Sequence, residues 1–342
     1  MGNQYQMTAL AGVLAFFAAN PLSAETLLTI YTAEEPAKLD PIRQSFHAEH
    51  PDLDINWVSD STGVITARLL AEINAGNPRA DLVLGTGTLT AHLVDDLGYI
   101  LPYAPKGLER IHPKFRDSND PPHWIGLESY QSAICFNTIE AKAKNLPAPS
   151  SWNDLIDPIY KDQIVMPDPN SSGTGLLTVF GWMKIFGEEA SWDYMDKLHE
   201  NIAAYTHSGS KPCGMAGAGE YVIGLSYTFA AAEQKRQGAP IDILLPVEGV
   251  GTDIGATFII KGTRNEAAAK AFMDWYVSDS GIAVYSKFSP MLAVADAPGK
   301  PEFYPDNLLE RMIDPDLAWQ VENRERVLAE WSRRYSQKEE AK

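Results

Sequence analysis

Four segments rich in glycine, serine and threonine hold the residue types best suited to binding a small anion. Each follows a short apolar run that predicts a strand. They are residues 60–63 (DSTG), 85–88 (GTGT), 170–175 (NSSGTG) and 205–210 (YTHSGS). A turn that enters a helix N-terminus presents free backbone N–H groups, and hydroxyls add donors without charge. The expected oxyanion ligands are Ser61, Thr62, Ser171, Ser172, Gly173 and Thr174, and Thr86 and Ser208 are expected to contact the ligand elsewhere in the same site.

Ordinary helix capping is the alternative for any one of these segments, because Ser, Thr, Asp and Gly are the residues that helix starts favour. The segment 171–174 is the strongest, since three hydroxyl residues and a glycine precede a long apolar helix. It is not a nucleotide P-loop, because no lysine follows the glycine. Four such segments together favour a binding cleft over four unrelated caps.

Carboxylates beside these segments could pair with a cationic group of the ligand, since a buried ammonium must be paired. The candidates are Glu34, Asp60 and Asp253, and the sequence does not choose among them. Glu128 also lies near a predicted crossing between lobes. Solvated loop charge is the alternative for each carboxylate. Tyr31, Thr32 and Tyr227 are expected to line the same cleft, with core packing as the alternative for the tyrosines.

Motifs for catalysis and for metal binding are missing from the sequence. It contains no GxSxG, HExxH or EF-hand pattern, and its seven histidines are scattered. Ser208 beside His207 is not a catalytic pair, since adjacent residues rarely point at one another. We therefore expect no catalytic residue, no cofactor and no metal ligand.

The charge balance of the chain argues against two classes of binding partner. The chain has 342 residues, with 28 Lys and Arg against 45 Asp and Glu, and a formal net charge of −17. Nucleic acid and anionic membrane surfaces both need basic residues, so neither is an expected partner. An acidic protein repels anions at long range, which mildly favours a zwitterionic ligand over bare phosphate.

The N-terminus reads as an export signal. Residues 7–19 (MTALAGVLAFFAA) form an apolar run too short to span a bilayer, and a cleavage-like site ends at Ala24. No Lys or Arg precedes the run, and a buried N-terminal helix is the alternative. We expect residues 1–24 to be a signal peptide and the mature protein to be soluble and exported.

The chain contains two cysteines, Cys135 and Cys213, and no CxxC motif. Cysteines are often buried as free thiols, and an exported protein can form disulfides, so both states of these two cysteines are open. Separate, buried thiols are favoured over a single disulfide.

Short strand patterns alternate with amphipathic helical patterns along the chain, which is typical of parallel α/β sheets. Predicted strands cover residues 27–31, 53–58, 81–84, 133–136, 164–166, 241–245 and 254–260. Predicted helices cover residues 36–50, 63–75, 176–186, 265–276 and 317–331, and Ser191 is expected to cap a further helix. Two such blocks without a long linker predict two lobes with a cleft between them.

At these motifs the chain resembles the periplasmic solute-binding proteins of ABC importers, in the group that also contains ferric-ion binders. More narrowly, it resembles the 2-aminoethylphosphonate-binding proteins. The stretches that carry the resemblance are residues 60–67 (DSTGVITA), 133–138 (AICFNT), 163–167 (QIVMP), 171–175 (SSGTG) and 205–213 (YTHSGSKPC). Residues 85–88, 226–228 and 251–255 depart from the pattern. Ferric binders usually use adjacent tyrosines, and this chain has no Tyr-Tyr pair.

The resemblance implies a type II periplasmic binding protein: α/β, two-lobed, each lobe a mostly parallel sheet flanked by helices, with the ligand cleft between them. The expected divisions are a first lobe of residues 25–128 and 254–290, a second of 129–253, and a C-terminal helical segment of 291–342. The implied function is capture of a small phosphonate, foremost 2-aminoethylphosphonate, by a monomer that delivers it to inner-membrane permease subunits without catalysis. A ferric or other small-ligand binder is the alternative, and a phosphoester-processing enzyme is a more distant one.

Overall fold

Strands and helices alternate through the chain in the computed structural model, which describes Gly2 and residues 26–290, 293–295, 297 and 301–340. Apart from Gly2, the predicted signal peptide lies outside the described residues. The strands are β1 (Thr26–Thr32), β2 (Leu53–Ser59), β3 (Leu82–Gly87), β4 (Ile100–Leu101), β5 (Ile125–Asn137), β6 (Ile164–Pro167), β7 (Ile202–Thr206), β8 (Ile223–Tyr227), β9 (Ile241–Leu244), β10 (Val250–Ile260) and β11 (Met312–Ile313).

The helices flank this sheet, and short 3-10 turns lie at residues 108–110, 113–115, 152–156, 158–160 and 336–338. The α-helices are α1 (Pro36–Glu49), α2 (Thr62–Asn74), α3 (Thr88–Asp96), α4 (Thr138–Lys144), α5 (Gly173–Phe186), α6 (Glu188–Asn201), α7 (Lys211–Gly217), α8 (Thr228–Arg236), α9 (Glu266–Tyr276), α10 (Asp279–Tyr285), α11 (Leu308–Arg311) and α12 (Leu317–Tyr335). Within the described part of the chain, no helix has the length and apolar character needed to cross a membrane.

The strand order β2-β1-β3-β10-β5-β8-β6-β7 divides the sheet into two halves. Parallel pairs form the outer parts, β2-β1-β3 and β8-β6-β7. Strands β10 and β5 are antiparallel to each other and to their outer neighbours. We call the half with β1 to β3 the first lobe and the half with β6 to β9 the second lobe. The two long antiparallel strands connect them, and the predicted residue bounds of the lobes stay a prediction.

Each lobe has its own apolar core. In the first lobe, Phe46 packs edge-on against Phe272 and Trp275. In the second, Trp152 packs edge-on against Trp182. Helix α12 also belongs to the second core, since the rings of Trp331 and Tyr335 pack together there.

Three local predictions are corrected by the structure. Cys135 and Cys213 form a disulfide with a Cα–Cα distance of 5.4 Å, so the favoured state of separate thiols is wrong. Helix α6 begins at Glu188, which places Ser191 inside the helix rather than at its cap. The residues 85–87 continue strand β3 instead of forming a turn after it.

Candidate functional site

A cleft of about 320 Å³ lies between the two lobes and is lined by side chains of both. The lining residues of the first lobe and the crossing strands include Glu34, Glu35, Lys38, Ser59, Asp60, Ser61, Thr62, Gly85, Glu128, Ser129 and Tyr130. The second lobe contributes Ser172, Gly173, Thr174, Ser208, Gly209, Ser210, Tyr227 and Phe229. Several helices begin on this wall, so their N-termini meet at the cleft.

Helix α5 presents its N-terminus to the cleft. Ser172 is its cap, and the Ser172 hydroxyl accepts a hydrogen bond of 3.3 Å from the Gly175 N–H. The first N–H groups of a helix have no carbonyl partner inside that helix, and the helix dipole favours negative charge there. The hydroxyl residues Thr174 and Ser208 stand on the same wall. Together they form a cluster of uncharged donors.

Helix α2 faces this cluster from the first lobe. Its cap residue, Ser61, makes no side-chain capping bond, and its hydroxyl instead donates to Asp60 Oδ1 at 3.4 Å. Ser61 Oγ lies 3.4 Å from Nε2 of His207 in the second lobe. We call this region, formed by Ser61, Thr62, Ser172, Gly173, Thr174 and Ser208, the donor end of the cleft. Its chemistry suits a phosphate or phosphonate head group.

The two lobes touch directly beside the donor end. The Gly63 N–H donates a hydrogen bond of 2.9 Å to the Ser171 carbonyl oxygen. A Cβ atom at Gly63 would lie 2.4 Å from the Asn170 carbonyl oxygen, so only glycine allows this approach. The Tyr227 hydroxyl also donates to Glu35 across the cleft. The structure is therefore the closed arrangement of the lobes.

The other part of the cleft is charged. Lys38 Nζ lies 2.8 Å from Glu34 Oε2 and 2.5 Å from Glu128 Oε1. All three side chains are buried, with at most 7% of each residue exposed. The Phe229 ring of the second lobe lies over the ammonium group, 4.8 Å from Nζ to the ring centroid. We call Glu34, Lys38 and Glu128 the charged end of the cleft.

Two carboxylates share one ammonium group at the charged end, and their pKa values move apart. Burial and the neighbouring Glu128 raise the pKa of Glu34 to about 8, against the opposing effect of Lys38. Burial acts to raise the pKa of Glu128 as well, but Lys38 holds it below its usual value. Burial acts to lower the pKa of Lys38, and the two glutamates raise it well above its usual range. One carboxylate thus stays ionised while the second holds a proton more tightly.

Gly85 makes room for this cluster. It has a φ of +67°, a left-handed conformation that favours glycine. A Cβ atom at this position would lie 2.4 Å from Glu34 Oε1. The departure of residues 85–88 from the expected family pattern therefore falls beside the charged end.

Most of the predicted site residues line the cleft. They are Glu34, Asp60, Ser61, Thr62, Ser172, Gly173, Thr174, Ser208 and Tyr227. The structure brings them together from segments far apart in the sequence. Their roles in ligand binding stay a prediction.

Five predicted residues are not on the wall of this cleft. Tyr31 is fully buried in the core, where its hydroxyl donates to Glu72 at 2.7 Å. The Thr32 hydroxyl donates to the Leu84 carbonyl at 2.9 Å, which ties β1 to β3. The expectation that Tyr31 and Thr32 line the cleft is therefore wrong.

The other three residues lie near the cleft, and two of them, Ser171 and Asp253, already bond to other groups of the protein. Ser171 donates its hydroxyl to the His207 carbonyl at 2.8 Å. Thr86 is fully buried in β3, and its hydroxyl has no hydrogen-bond partner among the described residues. Asp253 lines a smaller cavity nearby and accepts hydrogen bonds from the Thr88 hydroxyl at 2.6 Å and the Tyr130 hydroxyl at 3.1 Å. Burial raises the pKa of Asp253, against these bonds.

Lys38, Glu128 and Phe229 were not selected from the sequence as ligand-site residues. Lys38 sits four residues after Glu34, and this spacing on a helix usually marks a solvated ion pair. Glu128 is one of the carboxylates beside the motifs, but the sequence does not favour it over Glu34, Asp60 and Asp253. The available indication of this cluster in the sequence is that Glu34 and Lys38 stand four residues apart at the start of a predicted helix. Among the described residues, no group of three or more His, Cys, Asp or Glu side chains is arranged to hold a metal ion.

A two-lobed α/β protein whose lobes close on a polar cleft is built to bind a small molecule. Residues 77–310 match the bacterial extracellular solute-binding protein family, and the chain belongs to that family. The family is one of exported binding proteins. The predicted α/β periplasmic binding protein fold is confirmed by solved structures of type II binding proteins.

Individual relatives agree with this assignment. An uncharacterised protein of Haemophilus influenzae is 31% identical over 76% of this chain and 75% of its own length. A probable ABC transporter periplasmic-binding protein of Sinorhizobium fredii is 26% identical, covering 83% of this chain and 78% of its own. The structure of the periplasmic binding protein AfuA of Actinobacillus pleuropneumoniae, with fructose-6-phosphate bound, is 28% identical. It has a TM-score of 0.84 and covers 91% of this chain and 99% of that one.

Proposed function

We propose that this protein is the substrate-binding component of an ABC importer that captures a small phosphonate, foremost 2-aminoethylphosphonate, in the periplasm. It delivers the ligand to permease subunits in the inner membrane, acts as a monomer and catalyses no reaction. The signal peptide predicted for residues 1–24 exports it. The relative from Sinorhizobium fredii, a probable ABC transporter periplasmic-binding protein, supports the transport role.

The donor end is the observation that carries the ligand class. It offers hydroxyls and helix N-termini from both lobes, and these uncharged donors suit an oxyanion. A hydrogen bond to a charged group contributes about 1.5–3 kcal/mol net, so several give tight binding after the costs of ordering and desolvation. Closure of the lobes brings the two halves of the donor set together, which couples binding to the closed state.

A phosphorylated sugar is the second candidate. The AfuA structure holds fructose-6-phosphate and is 28% identical to this chain. A sugar phosphate would place its phosphate at the same donor end and its hydroxyls in the remainder of the cleft. A ferric complex remains the third alternative on this fold.

Isothermal titration of the mature protein separates these candidates. The probes are 2-aminoethylphosphonate, ethylphosphonate, fructose 6-phosphate, inorganic phosphate and ferric citrate. We expect 2-aminoethylphosphonate to bind most tightly and to raise the melting temperature the most, because a ligand that binds only the folded state stabilises it. Tighter binding of fructose 6-phosphate or ferric citrate than of any phosphonate would overturn the proposed ligand.

A further inference from the structure

One buried acceptor at the charged end is left without a well-placed partner. Glu128 Oε1 accepts from Lys38, but Glu128 Oε2 is buried and has no hydrogen-bond partner of good geometry among the described residues. Ser289 and Glu34 lie close enough to Glu128 to lower its pKa. A buried carboxylate oxygen without a donor is costly, because it has lost its water and gained nothing in return. Glu128 lines the cleft, so a ligand group there could reach it.

Glu34 has spare acceptor capacity beside it. Its Oε2 binds Lys38, while its Oε1 accepts only a long hydrogen bond of 3.3 Å from the Tyr285 hydroxyl. A carboxylate has about four lone-pair positions. The charged end therefore holds more acceptors than its own lysine can satisfy.

A proton on Glu34 balances the charge of the cluster in the ligand-free protein, because burial and Glu128 raise the pKa of Glu34. Glu34 and Glu128 carry two negative charges when both are ionised, and Lys38 carries one positive charge. A buried cluster with a net charge is unfavourable unless a counter-charge is supplied. One additional cation in place of that proton would balance the cluster, and a neutral hydroxyl would not.

The other two candidate carboxylates are less suited to this role. Asp253 lies outside the cleft lining and already accepts from two hydroxyls. Asp60 accepts the Ser61 N–H at 2.7 Å and lies 3.4 Å from His207, and its side chain is 45% exposed. Asp60 is therefore accessible to solvent and does not need a ligand as its partner.

We infer that Glu128, together with Glu34, receives the ammonium group of a zwitterionic ligand whose anionic head lies at the donor end. This inference rests on the proposed function and assigns the receptor of the cationic end, which the sequence left open. Lys38 holds the two carboxylates in place and does not itself contact the ammonium group. The aromatic ring of Phe229 closes over this end from the second lobe.

Calorimetric titration with two matched ligands tests the inference. Ethylphosphonate has the same head group as 2-aminoethylphosphonate and lacks the amine. The wild-type protein is expected to bind the amine-bearing ligand about tenfold more tightly or better. In Glu128→Gln this preference should fall to about threefold or less, with the affinity for ethylphosphonate retained. Glu266→Gln is the matched control, because Glu266 lies on the surface in α9, where it pairs with Lys270 at 2.6 Å, and its preference should equal that of the wild type.

The outcomes separate the two levels of the proposal. If the wild type binds neither phosphonate, the proposed function fails and the inference falls with it. If both bind equally, or if Glu128→Gln keeps the full preference, the inference is overturned while phosphonate binding stands. Should Glu128→Gln not fold, Glu34→Gln provides the same test, because it also removes a carboxyl group from the cluster while leaving a side chain of similar size.

Discussion

In the proposed binding mode, the two ends of the cleft recognise charge by different means. The donor end uses hydroxyls and the starts of helices α2 and α5, all without formal charge. The charged end uses two buried glutamates and a lysine. A protein with a net charge of −17 can thus bind an anionic head group through uncharged donors and without a basic cluster. It can bind a cationic group nearby through charged side chains.

The two ends also differ in whether they need residues of both lobes to form. Glu34 and Lys38 lie at helix α1, and Glu128 lies in the part of β5 next to β10, so the three residues form the charged end without the second lobe. The donor end needs Ser61 and Thr62 from one lobe and residues 172–174 from the other. We infer that the charged end is preformed and that the donor end is assembled by closure.

Preventing closure should have the largest effect. A side chain at Gly63 would meet the carbonyl oxygens of Asn170 and Ser171, at 2.4 and 2.6 Å from its Cβ. We expect Gly63→Val to weaken phosphonate binding about a hundredfold, equivalent to about 2.8 kcal/mol. Each lobe should still fold, since the contact is between lobes. Calorimetry gives the affinity, and small-angle scattering should show that added ligand no longer makes the protein more compact.

Gly214 offers the control for this variant. It lies in helix α7, and the nearest atom to an added Cβ is Gln234 Nε2 at 4.0 Å. Gly214→Ala should bind as the wild type does. An affinity of Gly63→Val within a few-fold of wild type would contradict the requirement for this closed arrangement.

Removing one hydroxyl from the donor end should have a smaller effect. Thr174→Val keeps the shape of the side chain and removes one donor to the head group, so affinity should fall about tenfold. The loss should be equal for 2-aminoethylphosphonate and ethylphosphonate, whereas Glu128→Gln affects only the first. Thr178→Val, one turn further along α5 and bonded to the Thr174 carbonyl, is the isosteric control. Unequal losses for the two ligands would show that the two ends are not independent.

The fold was predictable where one face of an element is apolar. Helix α1 and strands β1 and β2 lie within two residues of their predicted bounds. Strand β5 was predicted only at residues 133–136, yet it begins at Ile125. Its earlier part contains Ser129 and Gln131; the Gln131 amide donates to Ser129 Oγ at 2.8 Å and accepts from the Thr228 hydroxyl of α8 at 3.0 Å. Polar residues satisfied by tertiary partners conceal a strand from any pattern based on hydrophobicity.

The donor end was predictable for a local reason and the charged end was not. Helix caps after strands have a sequence pattern, so Ser61 and Ser172 could be found. Lys38 looks like a solvated residue until folding brings Glu128, ninety residues away, against it. Pairing of Cys135 with Cys213 is likewise a tertiary fact, since spacing alone does not determine which cysteines meet.

The smallest expected effect is a pH dependence that belongs to the charged end alone. The groups that face Glu34 are Lys38, Glu128 and the Tyr285 hydroxyl. With its pKa raised from 4.5 to about 8, Glu34 holds a proton more tightly in the folded protein than in the unfolded chain. Its contribution to stability is therefore present below pH 4.5 and is lost as the pH rises through about 8.

Differential scanning calorimetry of the ligand-free protein measures this contribution. Between pH 5 and pH 8.5, the melting temperature of the wild type should fall by about 1–3 °C more than that of Glu34→Gln, which has no proton to lose. Thr174→Val should follow the wild-type profile, because hydroxyls of the donor end do not titrate in this range. A Glu34→Gln profile that matches the wild type would mean that both carboxylates are already ionised at pH 5. In that case the net charge at the charged end is present before the ligand arrives, and binding should proceed without release of a proton.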